Sequence, residues 1–438
     1  MTRFRSMSAL IAAAAIVLAG CGEGTDSTPS PSASSAATPS ASASSSAAPG
    51  GFELDPAAAA LGTPAPVALL NNHNGPTGVF LYTFGPGLTI ADVEQVDYTP
   101  GGAPGNMLGV EGDVAWDGVQ VAFRSFASDV VAGDTNGVTD IFLKNVSSGA
   151  AVQVSDGLVT DWDWGSDSPA ISADGSSVVF RSSAVGLVPG VASTPQVYLY
   201  TVLSGELLLA SIDPDSQANF AYDPAVSAGG RYVAYASAEN GEFGGDNVVG
   251  GVYVLDTDMG EVELVSVASD GTLADYLSAG PSLSLDGRYV AFHSKASNLD
   301  PGFTNAFLNV YVHDRETGAT TLVTKNAAGQ PANNDSQDPE MVGNGTGVVF
   351  WSYASDLVPG DTNGDYDVFY ADLATGAIER INTSGGVEAN GFSKLDGVYG
   401  GRYVVFWTYA TNLGGDGDDG PEYWYVYDLE TDTLTKLK

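Results

Sequence analysis

Only one cysteine, Cys21, occurs in the 438 residues of this chain. A single thiol can form no internal disulfide, no Cys-based metal site and no Cys–His catalytic pair. Histidine is nearly as scarce. His73, His293 and His313 lie far apart, so no cluster suited to metal or base work is visible in the sequence. Basic residues are also few, 15 Lys and Arg against 53 Asp and Glu, for a net charge of −38. Such a field repels phosphate backbones, which excludes nucleic acid as a partner. No stretch sustains helical periodicity, and no apolar run reaches the roughly 20 residues that span a bilayer. Gly-x-Ser-x-Gly elbows and phosphate loops are lacking as well.

What is present begins with an address. Arg3 and Arg5 precede a short apolar stretch, Ala9 to Ala19, that ends in Leu18-Ala19-Gly20-Cys21. This resembles a bacterial lipobox: an aliphatic residue, two small ones, then the Cys whose sulfur takes diacylglycerol. Residues 1–20 are therefore expected to be a cleaved signal peptide, with Cys21 lipidated. Their removal takes two Arg and no acid, so the mature chain carries −40. Residues 21–52 are mostly Ser, Ala, Pro, Thr and Gly, a composition that cannot offset the entropy of folding. They read as a tether reaching roughly 30 Å as a flexible coil. Gly22 follows the Cys where an Asp would signal inner-membrane retention. The expected location is a cell membrane or outer membrane, lipid-anchored and facing away from the cytoplasm.

Residues 53–438 repeat one unit. The segments VAFRS, VVFRS, VAYAS, VAFHS, VVFWS and VVFWT place Phe123, Phe180, Tyr235, Phe292, Phe350 and Phe406 at intervals of 55 to 58 residues. A second series, from IFLKN to WYVYD, follows each of them, then a tight turn such as Thr317-Gly318 and a further short strand. An earlier strand, such as SPAIS or GPSLS, precedes each unit. Four short strands per repeat read as a propeller blade, and the fold class is all-β. Asp286-Gly287-Arg288-Tyr289-Val290-Ala291-Phe292 and Leu357-Val358-Pro359-Gly360-Asp361-Thr362-Asn363-Gly364 resemble the TolB-like propeller repeats of bacterial envelope proteins. The resemblance implies architecture, because that repeat is carried by proteins of many roles. Six repeats are complete. A degenerate first one is expected from Pro66–Asn71, Gly78–Tyr82 and Asp92–Asp97, giving seven blades. Six blades with an appended hairpin is the alternative.

Loops joining the second and third strands share a face with those joining successive blades, and the candidate sites fall there. Asp134, Asn136 and Asp140 in one loop, and Asp361, Asn363, Asp365 and Asp367 in another, match the later part of an Asp-rich calcium loop. Ca²⁺ takes such oxygen ligands around a Gly turn, but tight turns use the same residues. Ala132 or Pro359 occupies the position of a first ligand. One Asn or Asp recurs between blades (Asn106, Asp163, Asn219, Asp275, Asn333, Asn390), a regularity that suits a local structural task. Aromatics interrupt the same loops unevenly. Trp162, Trp164, Phe220, Tyr222 and Tyr276 are the candidate ligand-binding residues, because a sugar ring or a peptide can lie against such faces. The expectation is a monomeric, non-enzymatic binding module that meets an envelope protein or extracellular glycan through this face, with no catalytic residues identified. The alternative is a polysaccharide lyase or hydrolase using carboxylates and tyrosines at the channel mouth.

Overall fold

The computed structural model describes residues 54–72, 78–107, 109–157, 165–191, 194–212, 220–238, 250–300, 307–414 and 422–437. The signal peptide, Cys21, the tether and His73 lie outside the described residues, as do Trp162, Asp163, Trp164 and Asn219. Among the described residues, no helix is long and apolar enough to cross a membrane.

Seven antiparallel sheets form a β-propeller, each a meander in chain order. Blades 2 to 7 have four strands each. Their inner strands are Gly109–Val114, Ser166–Ile171, Phe220–Val226, Ser278–Leu283, Ser336–Val342 and Ser393–Tyr399. Blade 1 has three, Val67–Asn72, Gly78–Phe84 and Ile90–Gln95, and they match the second, third and outer strands of the other blades. The seven-blade expectation therefore holds, and the appended-hairpin alternative falls. Among the described residues, blade 1 has no inner strand.

The sequence builds blades because its second and third strands are apolar on both faces, as a sheet packed between two neighbours must be. Val121, Ala122 and Phe123 are all fully buried, as are Val348, Val349 and Phe350. In each four-stranded blade the aromatic of the second strand stacks on one from the third. Phe123–Phe142, Phe180–Tyr198, Tyr235–Tyr253, Phe292–Tyr311, Phe350–Phe369 and Phe406–Tyr425 have centroids 5.6–5.8 Å apart. Each pair adds about 0.5–1.5 kcal/mol beyond area burial. In blade 1 the corresponding pair is Leu69 with Leu81. Among the described residues, no strand is exchanged between the two ends. The ring closes instead through a shared core in which Leu69 and Val79 of blade 1 pack with Val121 and Phe123 of blade 2 and Val405 and Trp424 of blade 7.

Hairpin turns between inner and second strands are tied in series. Trp116 N–H donates to Ala173 O, Asp174 N–H to Ala228 O, Ala228 N–H to Leu285 O and Leu285 N–H to Gly343 O, at 2.8–3.0 Å. Residues 54–66 form a strap across this face. At one end Asp55 caps the short helix Pro56–Ala60 and accepts from Ser227 Oγ (2.6 Å) and Gly229 N–H (2.9 Å) of blade 4. Its own N–H donates to Asp286 O of blade 5 (2.9 Å). At the other end Gly62 O accepts from Trp116 Nε1 (2.7 Å), and Ala65 N–H donates to Trp116 O (2.8 Å). The strap thus crosses the ring from blades 4 and 5 to blade 2.

Candidate functional site

Six inner strands, none from blade 1, line a central cavity of roughly 530 Å³. Each carries a β-bulge. In blades 3 to 6 it falls at one place, between Asp167 and Ala170, Tyr222 and Ala225, Ala279 and Ser282, and Gln337 and Glu340. In blades 2 and 7 it lies close to that place, between Gly109 and Glu111 and between Leu395 and Gly397. Just before the Pro of the bulge, Ser168, Asp223 and Asp338 adopt left-handed backbone, with φ of 52°, 51° and 47°. Non-glycine residues take up this conformation at a cost, and such strain concentrates at functional sites. Blade 5 has Gly280 there (φ 60°), and the choice is steric as well. A Cβ on Gly280 would lie 2.8 Å from the His293 ring.

The bulges bring carboxylates into the cavity: Glu111 and Asp113 of blade 2, Asp223 of blade 4, Asp338 and Glu340 of blade 6, and Asp396 of blade 7. Some cross-link neighbouring blades. Glu111 accepts from Ser168 N–H (3.1 Å), Asp113 from Ile171 N–H (2.9 Å), and Ser282 Oγ donates to Glu340 (3.3 Å). Glu111, Asp113 and Glu340 are half-buried, and the surrounding wall of strands screens them from bulk solvent. That desolvation raises Asp113 to about 6 and Glu340 to about 7, the latter also because Asp113 is close by. Asp223 is pushed up for the same reason. Desolvation holds His293 below its ordinary value, and its Nδ1 accepts from Asp338 N–H at 3.2 Å.

Where an inner strand of blade 1 would run, between the inner strands of blades 7 and 2, there is a second cavity of roughly 440 Å³. It is lined by Glu111, Asp338, Glu340 and Asp396 and by two cations, Arg124 and Lys394, together with Trp407 and Trp424. Arg124 reaches Glu111 at 3.4 Å. Trp407 also belongs to a run of six rings on the loop-rich face of blades 6 and 7. Trp351 meets Tyr366 (4.5 Å), Tyr366 meets Tyr353 (5.0 Å) and Phe392 (5.6 Å), Phe392 meets Trp407 (5.1 Å), and Trp407 meets Tyr409 (5.3 Å). Tyr353 and Tyr409, at its two margins, are 41% and 47% exposed. Lys394 Nζ lies 5.2 Å over Trp351.

The residues singled out from the sequence are placed differently. Phe220 and Tyr222 stack 6.3 Å apart, and the Arg181 guanidinium lies 5.1 Å over Tyr222 at the edge of the central cavity. Tyr276 packs on the core between blades 4 and 5. The recurrent Asn and Asp residues among those described, Asn106, Asp275, Asn333 and Asn390, act as clasps. Asn333 Nδ2 donates to Ser355 Oγ (3.0 Å) while its Oδ1 accepts from Ser355 N–H (3.0 Å), and Asn106 and Asn390 repeat the arrangement. His313 is buried against Thr320 Oγ1 (2.8 Å). In the Asp-rich loops, Asn136 Nδ2 donates to Asp140 (2.8 Å) and Asn363 Nδ2 to Asp367 (3.1 Å), so both amides serve here as donors. No group of three or more His, Cys, Asp or Glu forms a ready metal cage among the described residues.

No family model matches the chain, and no curated protein does. Solved structures do. An oligogalacturonate lyase in complex with manganese superposes with a TM-score of 0.50 at 13% identity, covering 85% of this chain and 84% of that one. The β-propeller domain of the Trilobed protease from Pyrococcus furiosus, described as having an open velcro topology, gives 0.50 at 9% identity, covering 85% and 93%. TolB from Acinetobacter baumannii gives 0.41 at 18% identity, covering 71% and 62%. At these identities the likeness is one of fold.

Proposed function

We propose that this chain is a lipid-anchored glycan-binding propeller of the cell envelope, without catalytic activity. The observation that carries this reading is the run of aromatic rings ending at Trp407, whose indole also lines the carboxylate-rich cavity beside blade 1. Sugar rings present apolar C–H faces that lie on aromatic side chains and hydroxyl edges that donate to carboxylates. Four acids and two cations around one cavity suit a neutral glycan better than an acidic one, which the overall charge would repel. The tether and anchor would hold this face where extracellular polysaccharide is met. Trp162 and Trp164, outside the described residues, remain candidate ligand-binding residues.

One observation favours the enzyme reading. Glu340, protonated up to about pH 7, stands among carboxylates, and glycosidic-bond chemistry uses one protonated and one ionised carboxyl group. One experiment separates the two. The full chain in detergent is incubated with a panel of neutral and acidic glycans, and both retention and shortened products are recorded. Retention without turnover, weakened at least tenfold in Trp407→Ala and Tyr409→Ala, supports binding. Products that vanish in Glu340→Gln overturn it in favour of catalysis.

A further inference from the structure

Two loops of this propeller begin with the same four residues, Asp134-Thr135-Asn136-Gly137 in blade 2 and Asp361-Thr362-Asn363-Gly364 in blade 6. Both fold alike. Gly137 and Gly364 adopt φ of 74° and 69°, and each Asn donates to the Asp four residues on. They differ in how their negative charge is met. In blade 6 the third residue of the outer strand is Arg380. Its guanidinium lies 3.6 Å from Asp361, 3.1 Å from Asp367 and 2.8 Å from Glu388. In blade 2 the same strand position is Gln153. No Lys or Arg pairs with Asp134, Asp140 or Asp156 among the described residues.

A buried carboxylate without a counter-charge is costly. Asp134 is only 8% exposed, and its Oδ1 has no hydrogen-bond partner. Gln153, at the strand position that Arg380 holds in blade 6, brings no charge, and neither do Asn136 Nδ2 and Ser155 Oγ, which donate to Asp140 at 2.8 Å. Asp140 stands close enough to Asp134 for the two to repel, and Asp156 adds a further carboxylate near Asp134. We infer that the blade 2 loop is a Ca²⁺ site, with Asp134 Oδ1 and Asp140 as its protein ligands and Asp156 at its open side, while Arg380 fills the corresponding place in blade 6 and leaves no room there for an ion. A buried carboxylate oxygen that no donor of the protein meets is what a hard cation would take as a ligand. An ion here would also stiffen a junction between blades, since Thr139 O in this loop accepts from Ser166 N–H of blade 3 at 2.8 Å.

The test exchanges the two solutions. Calorimetric titration of the full chain with Ca²⁺ in physiological salt should give one saturable site, and Ca²⁺ should raise the melting midpoint by about 2–5 °C over chelator. Gln153→Arg, which imports the guanidinium, should abolish both. Asp134→Asn should weaken binding at least tenfold, while Arg380→Gln should create a second site. No saturable Ca²⁺ binding by the unaltered chain would overturn the inference. So would an unchanged site in both Gln153→Arg and Asp134→Asn.

Discussion

Blade 1 and the six blades that follow it answer one packing problem in two ways. A four-stranded blade fixes its place with an inner strand on the channel, an aromatic pair in its middle and a turn bonded to the next turn. Among the described residues blade 1 has no inner strand, and Leu69 and Leu81 stand where the aromatic pairs do. Its first two strands are nonetheless well buried, with Ala68, Leu69 and Val79 at 0% exposure. The strap supplies its link at the floor, because Ala65 N–H bonds Trp116 O much as one blade's turn bonds the next. What is missing is replaced by room. The carboxylates of blades 2, 6 and 7 and the indoles of Trp407 and Trp424 face the space an inner strand would have filled. A blade can thus give up a strand to make a cavity, provided that its outer face still closes the ring.

The largest expected effect comes from removing that closure. Deleting residues 66–97 should abolish cooperative unfolding, because it strips Val121, Val405 and Trp424 of the core they share with blade 1. The milder Leu69→Ala should cost about 2–5 kcal/mol by cavity formation. Urea melts followed by tryptophan fluorescence read both. A deletion that melts like the intact chain would make blade 1 an appendage after all.

Next in size is the strap. Asp55 is 3% exposed and accepts from Ala57 N–H, Ser227 Oγ and Gly229 N–H. Asp55→Ala leaves these buried donors unpaired, and the loss should be about 1–3 kcal/mol. Asp117→Ala, which removes a single exposed turn bond to Val119 N–H, should cost under about 1 kcal/mol. Equal losses in the two variants would mean that the strap rests on the ring without bracing it.

Blades were legible in the sequence because each second strand is a continuous apolar run, recurring at a nearly fixed interval. The cavity was not. Inner strands such as SPAIS and DPEMV look like ordinary short strands, and their acids converge only once seven sheets close a ring. The aromatic run was missed for a related reason. Trp351 and Trp407 were visible as variants at one strand position, but Tyr353, Tyr366, Phe392 and Tyr409 join them only through the adjacency of blades 6 and 7. Tyr276, which its loop position marks as a ligand-binding candidate, packs into core instead. The strap had no periodicity to reveal it. Its signal was Asp55-Pro56, an N-cap followed by a helix-starting Pro, at the end of the low-complexity tether.

The smallest effect tests whether the space beside blade 1 truly shields its acids. Glu340 and Asp113 have folded pKa values of about 7 and about 6, above those of an unfolded chain. For a carboxyl group raised on folding, the native state binds more protons than the unfolded state between the two pKa values. Stability should therefore fall as pH rises from about 4 to about 7, and level off above that. Carboxylates paired with arginine, such as Asp314 with Arg288 at 2.8 Å, are lowered on folding. Their contribution is lost only in more acid solution, so it does not mask this window. His293 and His313 are lowered on folding and act in the opposite direction up to their ordinary value of about 6.5. Melting temperatures of the full chain should therefore decline between pH 6.5 and pH 7.5, and Glu340→Gln, which cannot ionise, should flatten that slope. An unaltered slope in Glu340→Gln would show that bulk water reaches this carboxyl freely, and that the space beside blade 1 is open solvent with no shielding wall.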